Sequence, residues 1–321
     1  MPELDRTALD RHAPLYLAGH TGLVGSAIHR RLQAEGFTNL LTRTHHELDL
    51  LDQAATHAFF DEHRPAYVVL AAARVGGIHA NNTYPADFLY DNLTIAGNII
   101  HAAHRTGVTK LLNLGSSCIY PKHAPQPIPE DSLLTGPLEP TNRAYAVAKI
   151  AAIELCDSYR RQHGDDFISA MPTNLYDPGD NYDLETSHVL AALLRKIHEA
   201  KVAGAPSVTV WGTGTVKREF LHADDLADAA LFLLEHVSEP GPINVGTGKD
   251  ITINDLAALI ADVVNYRGEF MHDTGKPHGT PRKLLDVSHL ADLGWTAKIG
   301  LREGIERTYR AYLGSSGSSE L

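Results

Sequence analysis

Residues 15–36 read LYLAGHTGLVGSAIHRRLQAEG. Leu15, Tyr16, Leu17 and Ala18 form a short apolar run with the composition of a buried strand. The run breaks into Gly19-His-Thr-Gly22-Leu-Val-Gly25, a GxxGxxG turn, and an amphipathic stretch over residues 23–35 then reads as a helix stopped by Gly36. Glycine permits the tight turn, lets the backbone approach a pyrophosphate, and lets helix and strand pack closely. The helix start then offers unpaired N–H groups to the phosphates. This unit predicts an α/β fold whose first strand–helix junction holds a dinucleotide on Gly19, His20, Thr21, Gly22, Leu23, Val24 and Gly25.

The same order repeats outward from that unit. Apolar runs at 40–41, 67–71, 111–114 and 167–170 read as strands, and residues 96–105 and 144–163 as helices. Alternating strands and helices imply a Rossmann-like, doubly wound parallel sheet with helices on both faces. After Met171 the turn-rich YDPGDNYDLETS loosens the pattern. A helix over 187–203, a strand over 208–211, a helix over 224–235, a strand over 243–245 and a helix capped by Thr252 and running to 264 complete the reading. Residues 1–171 are expected to be mainly the nucleotide-binding domain. Residues 172–313 read as a smaller α/β substrate lobe that returns some elements to the first sheet, and 314–321 as a disordered tail.

Composition bounds the partners. The 321 residues are 43% hydrophobic and 21% charged, as in an ordinary globular protein, with a formal charge of −11. That charge argues against nucleic acid or an anionic membrane as the main partner. No apolar run approaches the roughly 20 residues of a membrane span. The N-terminal stretch MPELDRTALDRHAP has no secretory apolar core, and two cysteines allow at most one disulfide, so a cytoplasmic setting is expected. Nineteen histidines form no HxxxH or paired Cys/His pattern, so no metal is expected.

The second strand bears on the cofactor. An acidic residue there would bond a ribose 2′-hydroxyl. The chain instead reads LLTRTHHELDL, placing Arg43 and His45 where cations suit a 2′-phosphate, so NADP(H) is expected. Asp49-Leu-Leu-Asp52 then starts the next segment near the adenine.

Chemistry-bearing residues follow. In Tyr145-Ala-Val-Ala-Lys149, Tyr and Lys stand at i and i+4 on one helix face. A phenol of pKa about 10 needs a neighbouring ammonium to exchange protons near neutrality. The strand ending LNLGSSCIY supplies Ser116 to bond the carbonyl that Tyr145 would polarise. Together with the glycine turn, Ser116, Tyr145 and Lys149 resemble the carbonyl–alcohol hydride-transfer site of the extended short-chain dehydrogenases/reductases. Sugar-nucleotide dehydratases of that superfamily carry an acidic pair after the strand-end Ser/Thr, whereas this chain has Ser117-Cys118-Ile119. A simple 4-epimerase would need nothing beyond Tyr145 and Ser116.

Cys118 thus calls for a role. A thiol of pKa about 8.5 can remove and return protons alpha to a ketone. His188 in ETSHVL is the candidate for reprotonation from the opposite face, while Cys156 in IELCDSY is core filler.

Several segments, AGHTGLVGSAI, AAARVGGIHANNTYPADF, GSSCIYPK, LEPTNRAYAVAKIA, MPTNLY, SHVLAALLRK, VWGTGTVKREFLHADD, INVGTG and KPHGTPRKLLDV, resemble the GDP-L-fucose synthase family. The resemblance covers nearly the whole chain. It implies C3 and C5 epimerisation of GDP-4-keto-6-deoxy-D-mannose with Cys118 as base and His188 as acid. Reduction at C4 with NADPH and proton donation by Tyr145 would then give GDP-L-fucose. Ser116 and Ser117 would orient the ketone and Lys149 tune Tyr145. The resemblance also implies cofactor contacts at Leu114, Gly115, Ser116, Ser117, Tyr145, Lys149, Pro172, Thr173, Asn174, Leu175 and His188. Substrate contacts are implied at Ser117, Asn174, Lys196, Trp211, Arg218 and His278, and a homodimer through the helices around 96–105 and 144–163.

Three positions depart from the family pattern. Thr21 stands where GHRG has arginine, removing a cation near the 2′-phosphate. Asp177 stands where LYGP has glycine, and His278 where KPDG has aspartate. A GDP-sugar epimerase or 4-reductase acting on a related sugar is the alternative within enzymes. A regulatory cofactor-binding protein on the same scaffold is the alternative outside them, and it would be expected to have lost part of the site.

Overall fold

The computed structural model describes residues 9–184, 186–275 and 280–316. Its centre is a six-stranded, all-parallel sheet. The strands are β1 (Leu15–Ala18), β2 (Leu40–Leu41), β3 (Tyr67–Leu70), β4 (Lys110–Leu114), β5 (Phe167–Pro172) and β9 (Pro242–Val245), in the order β2-β1-β3-β4-β5-β9. Strands β1, β3, β4 and β5 are buried along their whole length. That explains their unbroken apolar runs, since helices cover both faces of a parallel sheet.

One face is packed by α1 (Leu23–Ala34) and α7 (Ala223–His236), whose Ile28, Leu32, Leu226 and Leu233 meet Leu17, Val69 and Leu112 of the sheet. The other face carries α2 (Gln53–His63), α4 (Pro85–Thr106) and α5 (Arg143–His163), with Phe60, Ile99, Ile100 and Cys156 against Tyr16, Val68 and Leu111. The chain leaves β1 for β2 on one side and returns to β3 on the other, so the sheet order reverses at β1 and β3. The carboxyl ends of these strands form the crevice where such sheets bind ligands.

The second lobe has its own core. Helices α6 (Val189–Ala203), α8 (Ile253–Val264) and α10 (Leu301–Ser316) surround β7 (Ser207–Trp211) and β8 (Lys217–His222), joined by Leu193, Leu194, Val210, Phe220, Leu256, Ile260 and Ile305. Strand β8 is flanked by antiparallel β10 (Asp250–Thr252) and by parallel β6 (Asn174–Tyr176) and β12 (Arg282–Lys283), while β7 pairs with β11 (Glu269–Asp273). Two short helices, α3 (Ile78–Thr83) and α9 (Ser288–Asp292), and three 3₁₀ turns, Ser117–Ile119, Glu130–Ser132 and Pro140–Asn142, complete the elements among the described residues. A fourth cluster, including Ile119, Tyr120, Ile128, Met171 and Leu285, seals the seam between sheet and lobe.

The structure differs from the sequence expectation in places. The helix expected at 96–105 begins eleven residues earlier, at Pro85, where proline's fixed φ suits a first helical position. Residues 53–63, left without an element, form α2, started by the Asp52 side chain accepting from Ala55 N–H at 3.0 Å. The segment expected as a tail from 314 starts in helix, because α10 continues through Ser316; residues 317–321 lie outside the described residues. Among the described residues, no helix is long and apolar enough to cross a membrane.

Candidate active site

At the end of β1, Gly19 takes φ 85°, and a Cβ there would lie 2.7 Å from the Ala72 nitrogen. Gly25 is more confined: its Cβ would lie 2.0 Å from the Gly19 oxygen. Gly22 caps α1 with no side-chain hydrogen bond, so the helix start stays open to an anion. The His20 Nδ1 is buried there without a hydrogen-bond partner. A backbone cradle that any side chain would fill, at an uncapped helix start, fits the pyrophosphate of a dinucleotide.

The expected 2′-phosphate cations lie beyond β2. Arg43 donates to the Thr42 carbonyl at 2.7 Å, sits 3.1 Å from His63 Nε2 and lies over the Phe59 ring. His45 is exposed, 3.7 Å from Asp49. Glu47 accepts from the Thr44 N–H at 2.7 Å; this bond and the Thr44 hydroxyl hold its carboxyl below the usual range, with Arg43 and His20 adding to the effect.

The groups expected to react cluster where β4 ends. Gly115 donates its N–H to Ala170 O at 2.8 Å, and a Cβ there would strike the Met171 side chain at 2.3 Å. The chain therefore turns tightly. The Ser116 Oγ accepts from Cys118 N–H at 3.4 Å, opening a single 3₁₀ turn over Ser117–Ile119. Ser117 and Cys118 are both buried on that turn. Opposite stands α5, where Lys149 Nζ donates to the Leu114 carbonyl at 2.8 Å and lies 5.8 Å from the Tyr145 ring centre. Phe88 meets Tyr145 edge-on, with ring centres 6.3 Å apart.

Electrostatics binds this group together. Burial lowers Lys149 to about 8, and a charge on Cys118 raises it. Burial raises Cys118, while Lys283, Ser116 and Lys149 pull it down. Tyr145 was expected to be lowered by Lys149. It is raised instead, by burial first and by the Cys118 charge second.

His188 comes from the other lobe, as the N-cap residue of α6. The loop before it is held by the Gly77 N–H donating to Thr186 O at 3.2 Å. The residue opens to solvent, yet enclosure of its ring lowers its pKa, and Lys283 lowers it further. Lys283 thus lies within electrostatic reach of Cys118 and His188 alike.

The other expected residues take two positions. Pro172 ends β5, and Thr173 and Asn174 both donate to the Glu219 carbonyl, at 3.3 and 2.8 Å. Leu175 follows in β6. Farther out, Lys196 Nζ sits 4.8 Å over the Trp211 ring, a cation–π pair on a half-exposed indole. Arg218 on β8 is lowered to about 10 by burial, with Glu139 raising it. His278 lies outside the described residues.

Two residues were not singled out from sequence. Lys283 and Glu139 line a cleft with Ser117, Cys118, Tyr120 and Pro121. Burial would raise Glu139, but the Lys122 ammonium 2.8 Å away outweighs it and holds the carboxyl below its ordinary value. Asp177, expected to alter the cofactor loop, is buried and accepts from Arg30 at 3.2 Å and from Gly179 N–H at 2.8 Å. Donor atoms of Asp177, His222 and Asp224 lie within 4.8 Å of one another, and Arg30 already bridges both carboxylates with its cation.

The sequence matches the model of the NAD dependent epimerase/dehydratase family over residues 15–246. It is 60% identical to GDP-L-fucose synthase 1 of Arabidopsis thaliana over 304 residues, covering 95% of this chain and 94% of the relative. The chain belongs to the GDP-L-fucose synthase family. A bacterial relative also matches: GDP-L-fucose synthase of Escherichia coli is 56% identical, with 93% of this chain and 96% of the relative covered. Among solved structures, a GDP-mannoheptose C4 reductase from Campylobacter jejuni with NADP bound superposes with a TM-score of 0.88 at 37% identity, covering 95% of this chain and all of that one.

Proposed function

We propose that the chain converts GDP-4-keto-6-deoxy-D-mannose to GDP-L-fucose, by epimerisation at C3 and C5 followed by reduction of the C4 ketone. One observation carries the residue assignment. A buried thiol, Cys118, shares the strand-end turn with Ser116 and is electrostatically coupled to both Tyr145 and Lys149. A reductase alone has no use for a base at that place.

In this reading, Ser116 and Ser117 orient the C4 ketone and draw electron density onto its oxygen. Protons at C3 and C5 become acidic because the resulting anion spreads onto that oxygen. Cys118 thiolate takes such a proton, and His188, approaching from the other lobe, returns one to the opposite face. NADPH at the glycine turn would supply the hydride for C4. Tyr145, kept neutral, gives its proton to the C4 oxygen. Lys149 bonds Leu114 O and stands beside the ring to offset the charge that Tyr145 then carries. Arg218 and Lys196 suit a diphosphate and Trp211 a purine face.

A homodimer belongs to the same proposal. It is supported by Tyr90 and Leu93 of α4 and Val147 of α5, all exposed at 38% or more. A cytoplasmic setting is supported by both cysteines being free thiols.

The test is to mix the protein with GDP-4-keto-6-deoxy-D-mannose and NADPH, following absorbance at the nicotinamide band and product stereochemistry by NMR. One NADPH consumed per GDP-L-fucose formed is expected. A reduced sugar with unchanged C3 and C5 would leave a C4 reductase. Epimerised ketone without NADPH loss would leave an epimerase.

A further inference from the structure

We propose that Lys283 is an electrostatic positioning residue for epimerisation: from the end of β12 its side chain enters the cleft that Cys118 lines and sets the charge balance around the base. This inference rests on the base and acid assignments above.

The geometry places Lys283 well for that task. It ends β12, with its Cα opposite that of Arg218 in the parallel pairing with β8. The following residues are clamped on two sides. Leu285 N–H donates to the buried Glu219 at 3.0 Å, Leu284 N–H to Gln126 at 3.0 Å, and Leu284 O accepts from Ile128 N–H at 2.8 Å. A strand end fixed in this way presents its side chain from a rigid base. That side chain lines the cleft that Ser117, Cys118 and Glu139 also line.

The charged and titratable groups around Cys118 come from three elements. They are Lys283 from β12, Lys149 and Tyr145 from α5, and Ser116 on its own turn. Lys149 is bonded to Leu114 O, and of the two ammonium groups Lys283 is the stronger influence on the thiol. Glu139, the carboxylate lining the cleft, lies 2.8 Å from Lys122. Burial lowers the pKa of Lys283 and Arg218 lowers it further, while Cys118 and Glu139 raise it; in its protonated form Lys283 acts on the thiol as a cation. The same charge acts on His188.

Each epimerisation breaks one C–H bond and forms an S–H bond. It then breaks an imidazolium N–H bond and forms the new C–H bond, so protons and charge balance. A cation facing both partners raises the share of Cys118 present as thiolate, the form that can take the proton, and favours proton release from the His188 imidazolium, whose product is the neutral ring. A buried thiol with no such neighbour would stay protonated at neutral pH.

The experiment reads the thiol directly. Cys118 is alkylated with iodoacetamide across pH 6–10, and the modified peptide is quantified by mass spectrometry in wild type, Lys283→Met and Lys283→Arg. The midpoint is expected to rise by about one pH unit in Lys283→Met, about a tenfold slower reaction at neutral pH, and to stay near wild type in Lys283→Arg. His188, followed by imidazole NMR, should titrate at higher pH in Lys283→Met. Should that variant not fold by circular dichroism, Lys283→Gln must show the same two shifts. Unchanged midpoints in a folded, NADPH-binding Met or Gln variant would overturn the proposal. Because alkylation needs no substrate, it decides Lys283 even if Cys118→Ser retains C3 and C5 exchange and the base assignment falls.

Discussion

Replacing Gly25 by alanine tests the cofactor cradle. The new Cβ would lie 2.0 Å from the Gly19 oxygen and 2.6 Å from its carbonyl carbon, where ordinary contact begins at 3.4 Å. Both neighbours are backbone, so relief requires the turn and the helix start to part by about 1.4 Å, the shortfall from ordinary contact. An N–H···O bond of about 2.9 Å stretched by that amount no longer counts as one. Losing two backbone bonds to a charged pyrophosphate, at about 1.5 kcal/mol each, raises the NADPH Kd on the order of a hundredfold. Nucleotide fluorescence titration measures this. The control is Gly36→Ala, where φ is 82° but nothing lies within 4 Å of the added Cβ. That change should cost about 1–2 kcal/mol of stability in urea and leave the Kd alone. A Gly25→Ala protein that binds NADPH within threefold of wild type would refute the placement of the dinucleotide at this turn.

Three further outcomes follow from the site. Tyr145→Phe should slow C4 reduction by roughly 10²–10⁴-fold while C3 and C5 exchange in D₂O persists, since only the second stage uses the phenol proton. Lys149, lowered by burial from 10.5 to about 8, binds its proton less tightly folded than unfolded, so the unfolded chain holds more protons between those values. Wild type should therefore gain about 2 kcal/mol relative to Lys149→Met between pH 8 and 10, read from paired urea titrations. Glu219→Gln should cost roughly 2–3 kcal/mol in the same assay, because the fully buried carboxylate accepts from the N–H groups of Thr247, Gly248 and Leu285 at 2.6, 2.7 and 3.0 Å.

The first βαβ unit was legible because its information is local. Buried parallel strands leave apolar runs, and the glycine turn leaves a pattern that sterics require. The same holds for Ser116, Cys118, Tyr145 and Lys149, which lie on one strand end and one helix face. Helix α2 was not legible: QAATHAFFDEH buries only Thr56, Phe59 and Phe60, too few positions for a 3.6-residue period to stand out. Lys283 and Glu139 escaped for another reason. They reach the cleft through the β12–β8 register and the loop before α5, long-range pairings that no spacing along the chain records. The partner of Asp177 is likewise Arg30, 147 residues away. The upward direction of the Tyr145 pKa was not legible because its burial is a tertiary fact.

The account stands most directly on the thiol. Wild type and Cys118→Ser are each incubated in D₂O with GDP-4-keto-6-deoxy-D-mannose without NADPH, and deuterium at C3 and C5 is followed by NMR. Rapid incorporation by wild type is expected, with a loss of at least a hundredfold in the serine variant, since a hydroxyl is far too weak an acid to be present as its anion near neutral pH. Incorporation at the wild-type rate in Cys118→Ser would contradict the assignment of sulfur as the epimerisation base.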